Sequence, residues 1–192
     1  MSTSEPLRTT QDIEKIKNYF LKQNKLRDYT LFTLGINTAL RIGDLLNLKW
    51  KDVYDIDTEL FSDHIILTEQ KTQKRTVIKL NDSAIMALER LKNHLEEIIP
   101  EYYIFKSRNG KNNPIHRSRA YVIIRDAAIT SNVKGVICCH SMRKTFGYHA
   151  WKGGFPPALI MEIYNHSSIN ITKKYLSINQ DDKDMLFKKI SL

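Results

Sequence analysis

Apolar side chains recur at three- and four-residue intervals near the start of the chain, a spacing typical of helices. Ile13, Ile16 and Phe20 keep this spacing, and Thr9 stands before them as a residue type suited to cap a helix. We therefore predict a first helix over about residues 10–23.

A second apolar run begins at about Arg27 and breaks near Asn37 and Thr38, and a further short helix is expected to carry Asp44 and its leucine neighbours. Arg41 lies at the junction between these two helices. A surface arginine paired with an aspartate three residues on is the ordinary explanation of Arg41, so its meaning depends on residues elsewhere in the chain.

The pattern then changes from helical spacing to short runs of β-branched residues. Two such runs, at residues 64–67 and 76–80, are separated by a polar stretch, which predicts an antiparallel hairpin with an exposed basic turn. Lys71 lies in that turn or at its edge.

Helical spacing returns after the hairpin. Asn81 or Asp82 can cap a helix whose apolar positions continue as far as Pro100. The basic, glycine-containing stretch at residues 106–119 indicates a loop that leads into a helix at about 116–130.

The last quarter of the chain is predicted to be helical throughout, with breaks at glycine, proline and asparagine. The predicted helices span about residues 140–152, 157–164, 168–177 and 180–190. The fold class is therefore mainly α with a small antiparallel β-sheet (α+β), and residues 1–192 are expected to form one domain.

Composition indicates what kind of partner this fold would bind. The 192 residues are 42% hydrophobic, enough for one sizeable core. Thirty Lys and Arg face 21 Asp and Glu, a formal net charge of +9, which points to a polyanion as partner. Because no segment approaches the roughly 20 apolar residues that span a bilayer, we expect a cytoplasmic, nucleoid-associated protein without a membrane partner.

The sequence offers no metal or nucleotide motif, so we expect no cofactor and no metal ligands. Its two cysteines, Cys138 and Cys139, are neighbours without zinc or redox spacing and are expected to be small buried apolar residues. Any chemistry would then come from side chains alone.

Cleavage of a phosphodiester by side chains needs a nucleophile, cations around the phosphorus and an acid for the leaving oxygen. The C-terminal half holds candidates for these roles in His140 and Arg143 on one helix, His166 after a turn, and Tyr175 nine residues further on. Arg41 and the Lys71–Lys74 turn supply further cations.

These separated elements, in this order, resemble the tyrosine recombinase (phage integrase) family, and the resemblance covers roughly residues 10–180. The family has an early arginine, a hairpin lysine, H-x-x-R, a histidine or tryptophan, and a tyrosine. The resemblance implies the catalytic-domain fold of that family. It also implies site-specific DNA cleavage and rejoining through a 3′-phosphotyrosine, without metal or ATP.

The resemblance assigns a role to each matching residue. Tyr175 becomes the nucleophile, and Arg41 and Arg143 become a clamp on the phosphate, with Asp44 orienting Arg41. His166 becomes a further phosphate contact. Each residue has an ordinary explanation as well, since a tyrosine on an amphipathic helix is more often core packing.

The proton-transfer roles follow in the same way. His140 corresponds to the histidine that accepts or relays the tyrosine proton, and Lys71 to the lysine that protonates the leaving 5′ oxygen, with Lys74 as competitor. Asn165 stands where the family usually has glycine, and because asparagine tolerates left-handed backbone we expect the turn before His166 to survive.

Basic residues outside this set are expected to contact DNA phosphates. They are Lys74, Arg75, Lys111, Arg117 and Arg119.

Family members usually carry an N-terminal helical domain, but about ten residues precede the first predicted helix, so we expect that domain to be absent. The chain would be either an excised domain or a natural minimal member. The tail at 178–192 is amphipathic through Met185, Leu186, Phe187 and Ile190. It would dock on its own core or in trans, linking four protomers on two sites of double-stranded DNA, with a monomer or weak oligomer in the absence of DNA.

Two other functions remain open from the sequence. A type IB topoisomerase has an overlapping active site and would relax DNA without a specific sequence. A non-catalytic DNA-binding regulator could keep the same fold.

Overall fold

The structure is a computed structural model. It describes residues 4–176, 178 and 180–190, the side chains of Lys174, Gln180, Asp181, Met185 and Leu186 excepted. The helices are α1 (Thr10–Lys22), α2 (Leu26–Asn37), α3 (Ile42–Leu46), α4 (Asp82–Lys92), α5 (Arg117–Thr130), α6 (Cys139–Lys152), α7 (Pro157–Ile163), α8 (Ile169–Leu176) and α9 (Gln180–Lys189). The strands are β1 (Tyr54–Asp55), β2 (Leu60–Phe61), β3 (His64–Thr68) and β4 (Arg75–Lys79).

The mainly helical architecture with antiparallel strands confirms the predicted fold class. Thr9 caps α1 by accepting a hydrogen bond from the backbone N–H of Asp12, and Asn81 caps α4 in the same way through Ala84. The predicted hairpin is β3 paired with β4, with Ile65 opposite Ile78.

The strands form two separate two-stranded sheets, and the β1–β2 sheet was not predicted. Its strands have two residues each, too few for an alternating pattern to register in the sequence. A single turn of 3₁₀ helix at Trp50–Asp52 precedes them.

The prediction that this helix continues to Pro100 is wrong, because α4 ends at Lys92 and Asn93 is its C-cap. The N–H groups of His94 and Leu95 bond three residues back, to Leu91 and Lys92, as in a tightened last turn. The side chain of Leu95 is 41% exposed, so burial does not favour a continued helix there.

Most of the core lies between α2, α4, α5 and α6, and α2 packs against both α4 and α6. The largest side chains buried there include Phe20, Phe32 and Phe105. We call this cluster the main core. A second cluster, the C-terminal cluster, consists of Ala39, Ile160, Tyr164 and Leu176, with half-buried aromatic residues packed against it.

The two ends of the described chain meet on α6. Asp182 at the start of α9 is buried and accepts hydrogen bonds from Arg8 and Tyr148, and it also pairs with Lys152. Beside it, Thr145 accepts the backbone N–H of Leu7. The first turn of α9 is therefore attached to its own chain.

The predicted apolar face of the tail is described only in part. Phe187 and Ile190 are exposed, while the side chains of Met185 and Leu186 lie outside the described residues. Across the part of the chain that the structure describes, no helix combines the length and apolar character needed to cross a membrane.

Candidate active site

A cleft of about 1030 Å³ opens where α3, the β3–β4 turn and the first turns of α5 and α6 meet the α7–α8 turn. All six residues predicted to be catalytic line it, although they come from both ends of the sequence. They are Arg41, Lys71, His140, Arg143, His166 and Tyr175.

The two arginines are held against one backbone oxygen. Arg41 Nη2 donates to the carbonyl oxygen of Tyr164 over 3.2 Å, and Arg143 Nη2 donates to the same oxygen over 3.0 Å. Since a carbonyl oxygen has two lone pairs, one acceptor can serve both groups. The guanidinium groups are thereby fixed close together, with N–H groups left over for a ligand.

Arg143 is the more deeply buried of the two, with 4% of its surface exposed. Its Nη1 donates to the carbonyl of Ala39, and its guanidinium carbon lies 4.6 Å from the centre of the Tyr164 ring. Ala39 has a φ of +56°, an unfavourable value for alanine. This bend separates α2 from α3 and leads Arg41 into the cleft.

Asp44 does not take the predicted role beside Arg41, and that prediction is wrong. Asp44 is buried and accepts the backbone N–H of Gln70, so it anchors the β3–β4 turn instead. Arg41 Nη1 donates to Glu69 over 2.5 Å. Position 44 lies on a helix that points its carboxylate to the turn, whereas Glu69 faces Arg41 from the end of β3.

Glu69 is a site residue that sequence reasoning missed. It is 1% exposed, and burial alone would raise the pKa of its carboxyl group. Hydrogen bonds from Thr72 and Arg41 and the charge of Arg143 outweigh burial, so this pKa lies below its ordinary value. A carboxylate is therefore present beside the two arginines at neutral pH.

The β3–β4 turn presents Lys71 to the cleft, and Lys74 is absent from its lining. The turn closes through backbone hydrogen bonds between Glu69 and Lys74 and between Gln73 and Glu69, each 2.9 Å long. Gln73 takes the left-handed conformation at φ +56°. Of the two lysines, Lys71 is therefore the one that the turn places in the cleft.

His140 and His166 both border the cleft, on α6 and on the α7–α8 turn. Loss of hydration, followed by the charges of nearby cations, lowers the pKa of each imidazole below its usual value. Lys144 is the largest of the charge effects on His140. Both rings are therefore neutral at pH 7, and a neutral imidazole can accept a proton.

The turn that carries His166 confirms the expectation about its asparagine. Asn165 has φ +51°, so it occupies the left-handed conformation in which glycine is usual. His166 Nδ1 lies 3.0 Å from Thr172 Oγ1 on α8, which fixes the ring relative to the helix that carries Tyr175.

Tyr175 lies among three aromatic rings, those of His140, His166 and Tyr164, with ring centres 4.9–5.1 Å away in edge-to-face arrangements. Its hydroxyl oxygen is closed off from solvent. Burial raises the pKa of Tyr175 to about 12, although Arg143 and Arg41 act to lower it. The phenol is accordingly protonated and needs a proton acceptor before it can act as a nucleophile.

The residues predicted to contact DNA phosphates are all exposed. Arg117, at the first turn of α5, lines the cleft beside His116 and Ser118. Lys74, Arg75, Lys111 and Arg119 lie outside it, and their contact with DNA stays a prediction. Cys138 and Cys139 are half-buried on the cleft wall, more accessible than the expected core residues.

The chain is similar in sequence to a known protein family and to several known proteins. Residues 8–182 match the model of the phage integrase family. A probable integrase/recombinase of Bacillus subtilis (strain 168), YoeC, is 38% identical over 192 residues, which cover 98% of this chain and 97% of that protein. The chain spans about half the length of other curated relatives, such as a tyrosine recombinase of Agathobacter rectalis that is 31% identical.

Solved structures share the fold at low sequence identity. The XerA recombinase crystal structure superposes with a TM-score of 0.78 at 19% identity, covering all of this chain and 66% of that one. XerH recombinase, bound to a palindromic difH substrate in a post-cleavage complex, gives 0.75 at 16% identity, over 98% of this chain and 54% of that one.

Proposed function

Because the chain belongs to the phage integrase family, we propose that it is a site-specific DNA recombinase of the integrase or invertase type. It would cleave and rejoin DNA strands through a 3′-phosphotyrosine at Tyr175, without metal or ATP. The observation that carries the proposal is the meeting of a buried phenol, two guanidinium groups and two imidazoles in one cleft.

The cations suit the charge that develops at phosphorus. In the proposed reaction the oxygen of Tyr175 attacks the scissile phosphate and negative charge grows on the non-bridging oxygens. Arg41 and Arg143 stabilise that charge, and His166 adds a third contact. Since their guanidinium groups are already fixed on the Tyr164 carbonyl, little reorganisation accompanies the reaction.

Two proton transfers complete cleavage. The phenol proton passes to His140, which is neutral at pH 7 and whose ring packs edge-on against Tyr175. Lys71 donates a proton to the 5′ oxygen as the bond from phosphorus to that oxygen breaks. The products are a 3′-phosphotyrosine and a 5′ hydroxyl.

Rejoining reverses these steps. The 5′ hydroxyl of a partner strand attacks the phosphotyrosine, the tyrosine leaves and recovers its proton, and a phosphodiester forms. One phosphoester replaces another at each step, so the bond energy is conserved and the reaction needs no ATP.

Double-stranded DNA is the proposed substrate. The net charge of +9 and the exposed cations Arg117, Arg119 and Lys111 favour binding to phosphates. The complex of XerH with a difH substrate is consistent with this partner. Affinity should fall steeply with salt, because binding releases counterions from DNA.

The proposed assembly is a tetramer on two DNA sites, in which residues 1–192 form one catalytic domain and residues 178–192 link neighbours. The exposed Phe187 and Ile190 offer an apolar surface for a neighbouring protomer. The attachment of Asp182 to Arg8 and Tyr148 keeps the first turn of α9 in cis, so exchange would involve the later part of the segment.

The proposal is tested by covalent capture. Wild-type protein is incubated with nicked duplexes that carry a randomised central sequence, and DNA that stays attached in SDS is recovered, sequenced and mapped to its protein residue. We expect an adduct at Tyr175 with an enriched sequence. Tyr175→Phe should give none, whereas Tyr121→Phe, on the same cleft, should react like wild type.

Two results would contradict the proposal. An adduct formed by Tyr175→Phe would exclude the nucleophile. Relaxation of plasmids that lack the captured sequence, without strand exchange between two copies of it, would identify a topoisomerase instead.

A further inference from the structure

One carboxylate oxygen joins three separate parts of the cleft. Oε2 of Glu69 accepts hydrogen bonds from Arg41 Nη1 at 2.5 Å, Thr72 Oγ1 at 2.5 Å and Asn165 Nδ2 at 3.1 Å. These donors belong to the start of α3, the β3–β4 turn and the α7–α8 turn. Each lies beside or at a proposed catalytic residue, namely Arg41 itself, Lys71 and His166.

The contacts of Arg41 determine the orientation of its guanidinium group. Nη1 is held by Glu69 and Nη2 by the Tyr164 carbonyl, so both ends of the planar group are fixed. A guanidinium group has five N–H donors, and those not used in these contacts remain for phosphate. Loss of the Glu69 contact would leave Arg41 with the Tyr164 carbonyl and with freedom to rotate about it.

Glu69 also places a negative charge beside the two arginines. Two guanidinium groups that share one acceptor repel each other, and an anion beside them reduces that repulsion. The carboxylate is 1% exposed, so water screens its charge weakly. The arginines can therefore keep their positions before a phosphate arrives.

We propose that Glu69 is a positioning residue, which holds Arg41 in its reactive orientation before DNA binds, while its bonds to Thr72 and Asn165 keep the carboxylate itself in place. The inference rests on the proposed function, since it assigns to Glu69 a part in the same cleavage. Glu69 acts through Arg41 and touches no reacting atom itself.

The first test compares cleavage rates on one substrate, the nicked duplex recovered by covalent capture with wild-type protein. Under single-turnover conditions, we expect Glu69→Ala to form the adduct about 100-fold more slowly, as when a group is misplaced by about 1 Å. Glu69→Gln keeps the shape and one acceptor, so about a tenfold loss is expected. Asp63→Asn removes an exposed charge from the same hairpin and should leave the rate unchanged.

The second test separates positioning from a general structural role. Arg41→Ala is combined with Glu69→Ala and with Glu69→Gln. If Glu69 acts through Arg41, each double variant should be no slower than Arg41→Ala alone, within about threefold. A merely structural role would make the two losses of rate multiply. If Glu69→Ala fails to fold, the variants that carry Glu69→Gln still distinguish the two roles.

Three outcomes would overturn the inference. Rates of Glu69→Ala and Glu69→Gln equal to wild type would show that Arg41 needs no such support. Faster cleavage by Glu69→Gln would show that the carboxylate competes with phosphate. Losses that multiply with Arg41→Ala would contradict action through Arg41. In each case wild-type adduct at Tyr175 leaves the proposed function intact, whereas its absence would remove both.

Discussion

Among the residues that the structure describes, the two sides of the cleft rest on different amounts of packing. Arg41 and the β3–β4 turn are supported by the main core, which extends from Leu7 to Met142 and includes three large buried phenylalanines. Tyr175 and the α7–α8 turn are supported by the C-terminal cluster, whose described buried members are Ala39, Ile160, Tyr164 and Leu176. The β3–β4 side of the cleft is thus firmly held, while Tyr175 lies on an element that we expect to open at lower cost.

The largest expected effect is a difference in how substitutions in these two clusters change the stability of the protein. Phe32→Ala removes a fully buried ring from the main core and should lower the free energy of unfolding by about 3–5 kcal/mol. Leu176→Ala removes a buried side chain at the end of α8 and should act chiefly on local opening. Denaturant unfolding measures the first, and hydrogen exchange of α8 amides measures the second.

A matched control for this pair is Leu159→Ala, since Leu159 lies on α7 and is 44% exposed. It should change neither measurement appreciably. If Leu176→Ala shifted the unfolding midpoint as far as Phe32→Ala does, the two clusters would form a single cooperative unit and the comparison would fail.

A smaller effect is expected from added methyl groups at two helix contacts. A Cβ at Gly147 of α6 would overlap the hydroxyl end and the ring of Tyr164, whose carbonyl holds both arginines. Gly147→Ala should therefore cost about 1–3 kcal/mol of stability and also slow adduct formation. Thermal unfolding and the single-turnover rate are the two measurements.

Gly35→Ala is the matched change in the main core. Its Cβ would meet the sulfur and terminal methyl of Met142, the flexible end of an adaptable side chain. We expect a smaller loss of stability and an adduct rate close to wild type. Equal losses of rate in both variants would show that Tyr164 has no special role in holding the site.

The smallest effect concerns pH. The lowered pKa values of His140 and His166 mean that the unfolded chain binds more protons than the folded one as the pH falls below 6.5. Unfolding free energy should therefore decrease as pH is lowered through that range and level off above it. Cleavage should also persist to lower pH than an ordinary histidine would allow, because the lowered pKa of His140 keeps its ring neutral over a wider range.

Lys144→Gln sharpens this prediction. It removes the charge that contributes most to lowering the pKa of His140 after desolvation, so the acid limb of the pH–rate profile should move to higher pH. The control Lys134→Gln changes an exposed lysine and should leave the profile in place. An unmoved limb in Lys144→Gln would exclude His140 as the group that titrates.

Local patterns in the sequence predicted most of the elements, whereas the residues of the cleft were identified through the resemblance to the tyrosine recombinase family. Caps such as Thr9 and Asn81 are read from neighbouring residues, which is why α1 and the start of α4 agree with prediction. The end of α4 does not, because apolar residues at Leu95 and Ile98 continue the helical spacing without being enclosed as a helix face. Sequence periodicity cannot distinguish these two cases.

The partner of Arg41 shows more clearly what a local sequence pattern cannot predict. Asp44 was predicted because it lies three residues from Arg41, a distance that local reasoning can assess. Glu69 is 28 residues from Arg41 and 96 from Asn165, and their contact depends on how the hairpin packs against the α7–α8 turn. A lone acidic residue beside a basic turn was the only signal, and its contact with Arg41 has no counterpart in a local pattern.

The carbonyl oxygen of Tyr164 has a consequence for how this protein could change over time. Because it accepts from Arg41 and Arg143 together, replacement of either arginine leaves the oxygen bonded to the other, and no buried acceptor is stranded there. One substitution can thus abolish cleavage while the backbone carbonyl of Tyr164 keeps a hydrogen bond. We therefore expect that loss of catalytic activity through one of these arginines need not disturb the α7–α8 turn.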